Sequence, residues 1–341
     1  MCRAAQTACA LIRSGIESDT EMNVLITGGL GFIGSRLAEK FIAEGHDVTV
    51  IDSLDPHAGG NEHNVASIAK DITLIRADIT DLSACREAVK GKDWIFHCAA
   101  QTSHLGSMQD PVGNVRVNCL GTINMLEAVR HEAADAHFIS VGTSTQTGPM
   151  RISPIDELHP EFPTDVYSAN KAAAENYTLL YAHAYGLRTT SVRLANVFGP
   201  NAHIKSAAFG FINFFVGLAL QGKPITVFGD GTQLRNASYV DDCVDALLSV
   251  AGKEATFGEA FFATADEHWS VAEIATAIAE CMGGELRLIP WPPERKAIDV
   301  GNIVISNQKL KTVTGWAPKT NFKEGLVLTR DFYRSRLPWY L

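Results

Sequence analysis

The chain alternates short apolar runs with amphipathic stretches. Residues 23–27 (NVLIT), 47–51 (DVTVI), 72–76 (ITLIR), 94–98 (WIFHC), 137–141 (HFISV) and 187–194 read as strands. Between them, residues 35–44 put Leu37, Phe41 and Ile42 on one side of a helix, and further helices are predicted over 82–89, 112–131 and 167–185. Strands that are apolar throughout and separated by helices indicate a parallel sheet covered on both faces, with right-handed crossovers. After Pro200 the pattern loosens and Gly, Pro and Asn become frequent, with helices predicted over 211–221, 240–250 and 271–282. The expected fold class is α/β: a doubly wound parallel sheet followed by a smaller C-terminal α/β lobe. Residues 1–21 are expected to form a disordered leader, with Met22 a candidate natural start. Residues 22–195 would hold the sheet, and 196–341 mainly the lobe, with some segments returning to the sheet domain.

Composition narrows the class. The 341 residues suit two domains, and 46% hydrophobic with 20% charged residues is a globular balance, which excludes wholesale disorder. A formal charge of −9 without a basic run argues against a nucleic-acid backbone as partner. No apolar stretch approaches the roughly 18 residues a membrane helix needs, and the longest, 209–220, is too short. Cys2, Cys9, Cys85, Cys98, Cys119, Cys243 and Cys281 are odd in number, irregularly spaced and lack a C-x-x-C. Neither a disulfide framework nor a metal site is expected, and reduced thiols place the protein in the cytoplasm.

Two motifs carry chemistry. Gly28, Gly31 and Gly34 follow the first strand and open a helix in a G-x-x-G-x-x-G spacing that includes Phe32 and Ile33. Such a turn brings backbone N–H groups and the positive end of a helix against a pyrophosphate, where a Cβ would obstruct. Asp52 ends the second strand, about 20 residues on, where an acid accepts hydrogen bonds from an adenosine ribose. This is a Rossmann-type dinucleotide site. No Arg or Lys follows in Ser53-Leu54-Asp55, and a carboxylate repels the extra phosphate of NADP, so NAD is the expected cofactor. The second motif is Tyr167-x-x-x-Lys171. Four residues apart on a helix, phenol and ammonium share a face, and a nearby Lys⁺ together with a cationic nicotinamide would lower the phenol pKa enough for it to act as a base.

With these residues in this order, the sequence resembles the extended short-chain dehydrogenase/reductase family, in particular its NAD-dependent nucleotide-sugar epimerases and dehydratases, over about residues 22–330. Asp78-Ile79 resembles the pair that contacts the adenine. His97-Cys98-Ala99-Ala100-Gln101 resembles the segment whose backbone lies along the cofactor, and Asn118-x-x-Gly121-Thr122 matches "NxxGT". Residues 193–200 resemble "RxxNVYGP", and 229–242 resemble "GDGxQxRDFxYVDD". The resemblance implies cofactor contacts from Ala99, Ala100, Gln101 and Asn118, besides Gly28–Gly34, Asp52, Asp78 and Ile79, with Tyr167 and Lys171 serving both cofactor and catalysis. It implies that Thr143, five residues before Gly148, is the third catalytic group, with Ser144 its alternate and a sugar contact. It implies that Asn196 and Arg235 hold a diphosphate with Arg295 as a second cation, and that the protein is a homodimer through helices 112–131 and 167–185. Residues 101–104 would border the sugar, where His104 is read either as a second acid or as a capping residue.

The sequence also departs from the family. Gln146-Thr147 replace the usual Val-Tyr. Where 4,6-dehydratases carry Asp-Glu after the catalytic Thr, and decarboxylases a Glu, this chain has Ser144 and Thr145. A reaction needing only hydride transfer and a tyrosine proton shuttle remains. The expected activity is 4-epimerisation of a nucleotide sugar, with a UDP-hexose favoured. Alternatives are a CDP-sugar 2-epimerase, UDP-glucuronate decarboxylase, 4,6-dehydratase or 4-keto reductase, or a non-catalytic NAD-binding protein. No nucleic-acid or membrane partner is expected.

Overall fold

The computed structural model describes residues 21–56 and 58–341; apart from Glu21, the expected leader lies outside the described residues. The first half runs β1 (Asn23–Thr27), α1 (Phe32–Ala43), β2 (Asp47–Asp52), β3 (Ile72–Arg76), α2 (Leu82–Val89), β4 (Trp94–His97), α3 (His104–Gln109), α4 (Pro111–Val115), α5 (Gly121–Glu132), β5 (His137–Thr143), α6 (Val166–Tyr185) and β6 (Arg188–Leu194). The second half runs β7 (Val197–Phe198), α7 (Phe211–Leu220), β8 (Ile225–Phe228), β9 (Leu234–Asn236), β10 (Ser238–Tyr239), α8 (Val240–Val250), β11 (Glu259–Ala263), β12 (His268–Ser270), α9 (Val271–Met282), β13 (Leu286–Ile289), α10 (Pro293–Lys296), α11 (Gln308–Thr314) and α12 (Phe322–Tyr333).

Seven strands form one sheet in the order β11-β6-β5-β4-β1-β2-β3, every pair parallel. Six are those the apolar runs predict. The seventh, β11, comes from the second half of the chain. The pleat sends alternate residues to opposite faces. Val24 and Ile26 pack with Leu37 and Phe41 of α1 and with Cys243, Leu247 and Val250 of α8. Leu25 packs the other way, with Cys85 and Val89 of α2 and Met125 and Val129 of α5. Burial on both faces explains why the strands lack polar alternation. A further core, around Phe198, Val216, Ile225, Ile274, Phe322 and Tyr333, holds the smaller lobe.

Strand order reverses between β1 and β4, so the loops at their carboxyl ends splay apart and open a crevice. The helix predicted over 112–131 is broken in its middle: α4 and α5 are joined through a π-turn at Arg116–Leu120, a widening that commonly marks functional sites. Among the described residues no helix is long and apolar enough to cross a membrane.

Candidate active site

One cavity of about 590 Å³ fills the crevice and runs into the smaller lobe, within the range of ligand sites. Its walls include Gly28, Gly31, Phe32, Ile33, Gly34, Asp52, Asp78, Ile79, Ala99, Ala100 and Gln101 at one end. Thr143, Ser144, Tyr167 and Lys171 lie on its walls, as do Asn196, Arg235 and Arg295. Residues predicted from nine separate stretches of sequence, from Gly28 to Arg295, therefore meet on one surface.

The three loop glycines answer different demands. Gly28 has φ +65°, and a Cβ there would stand 2.8 Å from the backbone of Ala99. A Cβ on Gly34 would stand 2.4 Å from the Gly28 carbonyl oxygen, so its hydrogen lets α1 pack on the turn. A Cβ on Gly31 would meet only that same oxygen, at 3.1 Å, and would otherwise fill space belonging to the cavity. This is the cradle that a pyrophosphate requires. Asp52 accepts the N–H of Leu30 at 3.0 Å and that of Leu54 at 2.9 Å. Each carboxylate oxygen retains a second lone pair for a ribose hydroxyl. Among the described residues the wall beside Asp52 is Ser53, Asp55, Ala58, Gly59 and Gly60, and the in-register Arg76 of β3 is paired with Glu62, so these residues fit NAD.

Asn118 stands just behind the cavity wall formed by Gln101. It is buried in the π-turn behind the wall, where its Oδ1 accepts the Gln101 N–H at 3.0 Å and its Nδ2 donates to the Gln101 carbonyl at 2.9 Å. Asn118 fixes the backbone that lies along the cavity and acts through it.

At the carboxyl end of β5, the Thr143 hydroxyl lies beside the Tyr167 phenol and draws its pKa down, while its Oγ1 stands 3.1 Å from Thr145 Oγ1. Tyr167 comes from the first turn of α6, which Asp165 caps by accepting the Ser168 N–H at 2.9 Å. Lys171, one turn on, donates from Nζ to the Val141 carbonyl at 2.6 Å. Burial pushes the phenol up to about 12, against the pull of the neighbouring Thr143 hydroxyl. Burial brings Lys171 itself down to about 8, with Cys98 and Glu175 opposing. Desolvation outweighs attraction because both groups sit in the protein with little water and the ammonium is turned to a carbonyl. A cation in the cavity beside the phenol would act in the opposite sense.

The diphosphate end is less open than the sequence implies. Arg235 donates to the carbonyls of Leu234 and Gly301 and pairs with Asp299 at 3.3 Å. Arg295 lines the cavity and has no ion pair among the described residues. Phe209, Phe211, Phe214, Phe228 and Trp291 form an apolar flank, with Phe228 and Trp291 5.3 Å apart. Sequence reasoning did not single out Asp299, Asp165, or Phe209, Phe211, Phe214 and Trp291 of this flank. Only Asp165 left a signal, as a helix-capping acid two residues before Tyr167.

Residues 24–261 match the model of the "NAD dependent epimerase/dehydratase family". The chain is 33% identical to UDP-glucose 4-epimerase of Mycolicibacterium smegmatis over 321 residues, covering 92% of this chain and 99% of the relative. It is 30% identical to the dTDP-glucose 4,6-dehydratase of the same organism, covering 94% and 95%. The solved structure of the Thermus thermophilus UDP-glucose 4-epimerase in complex with NAD is 33% identical and superimposes with a TM-score of 0.82, over 92% of this chain and 100% of that one. A loop built for a dinucleotide, a Thr-Tyr-Lys cluster at the end of β5 and a match across most of its length make this chain a member of the NAD-dependent epimerase/dehydratase family.

Proposed function

We propose that this enzyme is a nucleotide-sugar epimerase that works through a 4-keto sugar, with a UDP-hexose as its substrate. The observation that carries this reading is the cluster of Thr143, Tyr167 and Lys171 beside Ser144 and Thr145, positions that offer no carboxylate for elimination or decarboxylation. The dehydratase relative is nearly as similar overall, so the reading rests on these positions and not on identity.

NAD, when bound, supplies the hydride acceptor and returns the hydride. Gly28, Gly31 and Gly34 leave room for its pyrophosphate and Asp52 takes a ribose hydroxyl. Asp78 and Ile79 flank the adenine, and Ala99, Ala100 and Gln101, held by Asn118, line its path. Thr143 orients the hydroxyl on carbon four, and Tyr167 takes its proton and later gives it back. Lys171 fixes the end of β5 through Val141 and sets the local charge. Ser144 borders the sugar. Asn196, Arg235 and Arg295 hold the diphosphate, with Arg295 the fork free to bind in a bidentate way. An apolar flank with few fixed donors lets the sugar turn between the two faces.

The test is a panel of UDP-, dTDP- and CDP-hexoses offered to the purified protein without added NADH. The expected product has the mass of its substrate, with no net reduced cofactor. Loss of water would identify a dehydratase, loss of carbon dioxide a decarboxylase, and stoichiometric NADH consumption a keto reductase; each overturns the reading.

A further inference from the structure

Facing Tyr167 across the cavity wall is a pair of residues that the epimerase reading leaves without a task. His104 Nδ1 lies 2.8 Å from Asp165 Oδ2. The carboxylate is buried, its side chain 3% exposed, while the imidazole is 36% exposed and lines the cavity. The His104 ring stands edge-on to Tyr167, centroids 5.0 Å apart and planes at 85°. Its Nε2 has no hydrogen-bond partner among the described residues.

Asp165 needs no histidine to be satisfied. Its Oδ1 accepts the Ser168 N–H at 2.9 Å and its Oδ2 the Ser168 hydroxyl at 3.0 Å. A helix cap asks only for a short polar side chain, and Ser, Thr or Asn would serve. What a buried carboxylate adds is orientation: it holds Nδ1–H and leaves the Nε2 lone pair for another partner. A base held by a third group in this way recurs wherever a protein prepares a proton acceptor. Burial raises the Asp165 carboxyl, but the His104 bond and charge and the Ser168 bonds bring it below its ordinary value, so it stays ionised.

We propose that His104, oriented by Asp165, is a second acid/base of this site that takes and returns a proton at a carbon next to the sugar's carbonyl. The inference rests on the reading of the site as one that handles a 4-keto sugar. Tyr167 must stand at the oxygen on carbon four, and the neighbouring ring position is the part of the sugar within reach of an imidazole beside it. A carbonyl acidifies the flanking C–H. In the step, that C–H bond breaks, its proton goes to Nε2, and its electron pair forms the double bond to carbon four. The carbonyl π pair moves to oxygen, which takes the Tyr167 phenolic proton. Nδ1–H stays on Asp165 throughout. Reversal restores the ketone, and proton exchange of His104 with water in between leaves a solvent hydrogen on carbon.

The test uses a UDP-4-keto-6-deoxyhexose in D₂O with the full chain, so that no hydride step is needed. Proton NMR should show loss of the signal on carbon three or five, faster than in protein-free solution by about 10²–10⁴, the usual worth of a positioned acid/base. His104→Gln can still hydrogen-bond Asp165 but cannot carry the proton, and should reduce this exchange to near the background. Independently, ¹⁵N NMR of histidine-labelled protein should show one imidazole in the Nδ1–H form, its signals absent in His104→Gln and altered when UDP-glucose is added. Absence of exchange, exchange unaffected in His104→Gln, or His104 in the Nε2–H form each overturns the proposal. All three can occur while the hexose panel still yields a carbon-four epimer, so failure here is distinct from failure of the epimerase reading.

Discussion

Asp52 accepts the backbone N–H of Leu30 at 3.0 Å, so the acid that ends β2 also holds the turn between Gly28 and Gly31. One side chain thus shapes the phosphate cradle and excludes a 2′-phosphate.

NAD should therefore bind at least tenfold more tightly than NADP, by fluorescence or calorimetric titration. Asp52→Ala should lose NAD affinity as well as selectivity, since the Leu30 and Leu54 N–H groups lose their acceptor. Equal affinity for the two cofactors in the wild type would refute this reading of Asp52.

Tyr167→Phe keeps the ring and removes the proton. Turnover should fall by about 10²–10⁴, with little change in sugar-nucleotide affinity measured by calorimetry. Because the neighbouring Thr143 hydroxyl draws the phenol pKa down, Thr143→Val should lower kcat more than it raises KM. Near-normal turnover in Tyr167→Phe would rule out the mechanism.

Lys171 makes a stability prediction whose sign is set by linkage. Its pKa is about 8 in the fold against an ordinary value of 10.5. Between those values the unfolded chain binds the extra proton, so this group makes stability rise with pH from about 8 to about 10.5. Below about pH 8 the cost of burying the charge is fully present. Lys171→Met should raise Tm near pH 7 and confer less benefit near pH 10, by differential scanning calorimetry. An equal shift at both pH values would show that Lys171 does not titrate in this window.

Along the paired helices α4–α5 and α6, Val112 is 68% exposed, Leu120 45%, and Leu180 and Tyr185 52% each. Tyr181 donates to Glu127 at 2.6 Å and clamps α6 to α5, so these side chains stand on joined helices. A homodimer through this face is expected by light scattering at micromolar concentration, with Leu180→Glu shifting it to monomer. A monomeric wild type would dispose of the assignment.

Most of the sheet was legible from its apolar runs, in the buried β1 and in the half-exposed edge strand β3 alike: residues 23–27 and 72–76 are strands to the residue, and 240–250 is a helix to the residue. Glu259–Ala263 was not legible as the seventh strand, because its Glu-Ala-Phe-Phe-Ala run is short and becomes a strand by pairing with β6 from another part of the chain. Of the site, glycine spacing and Tyr-x-x-x-Lys were readable, since backbone clearance and helical period fix them. The bonds from Asn118 to the Gln101 backbone were not readable, because they depend on the π-turn that places Asn118 behind the wall. The upward push that burial gives the Tyr167 phenol leaves no mark in local sequence. The His104–Asp165 pair joins residues far apart in the chain, and only the fold brings them together.

The return of α8 and β11 to the main sheet bears on how such enzymes can be recombined. The cavity walls that the second half of the chain contributes come from two stretches, one ahead of α8 and one beyond β11, with a piece of the main sheet between them. A chimera that exchanges everything after β6 would also exchange a strand of that sheet and the helix packed on Val24 and Ile26. It would join two unrelated surfaces across the core and leave β6 as an ill-matched edge. Transplanting substrate preference onto this scaffold calls for two grafts, with α8 and β11 left in place as the seam.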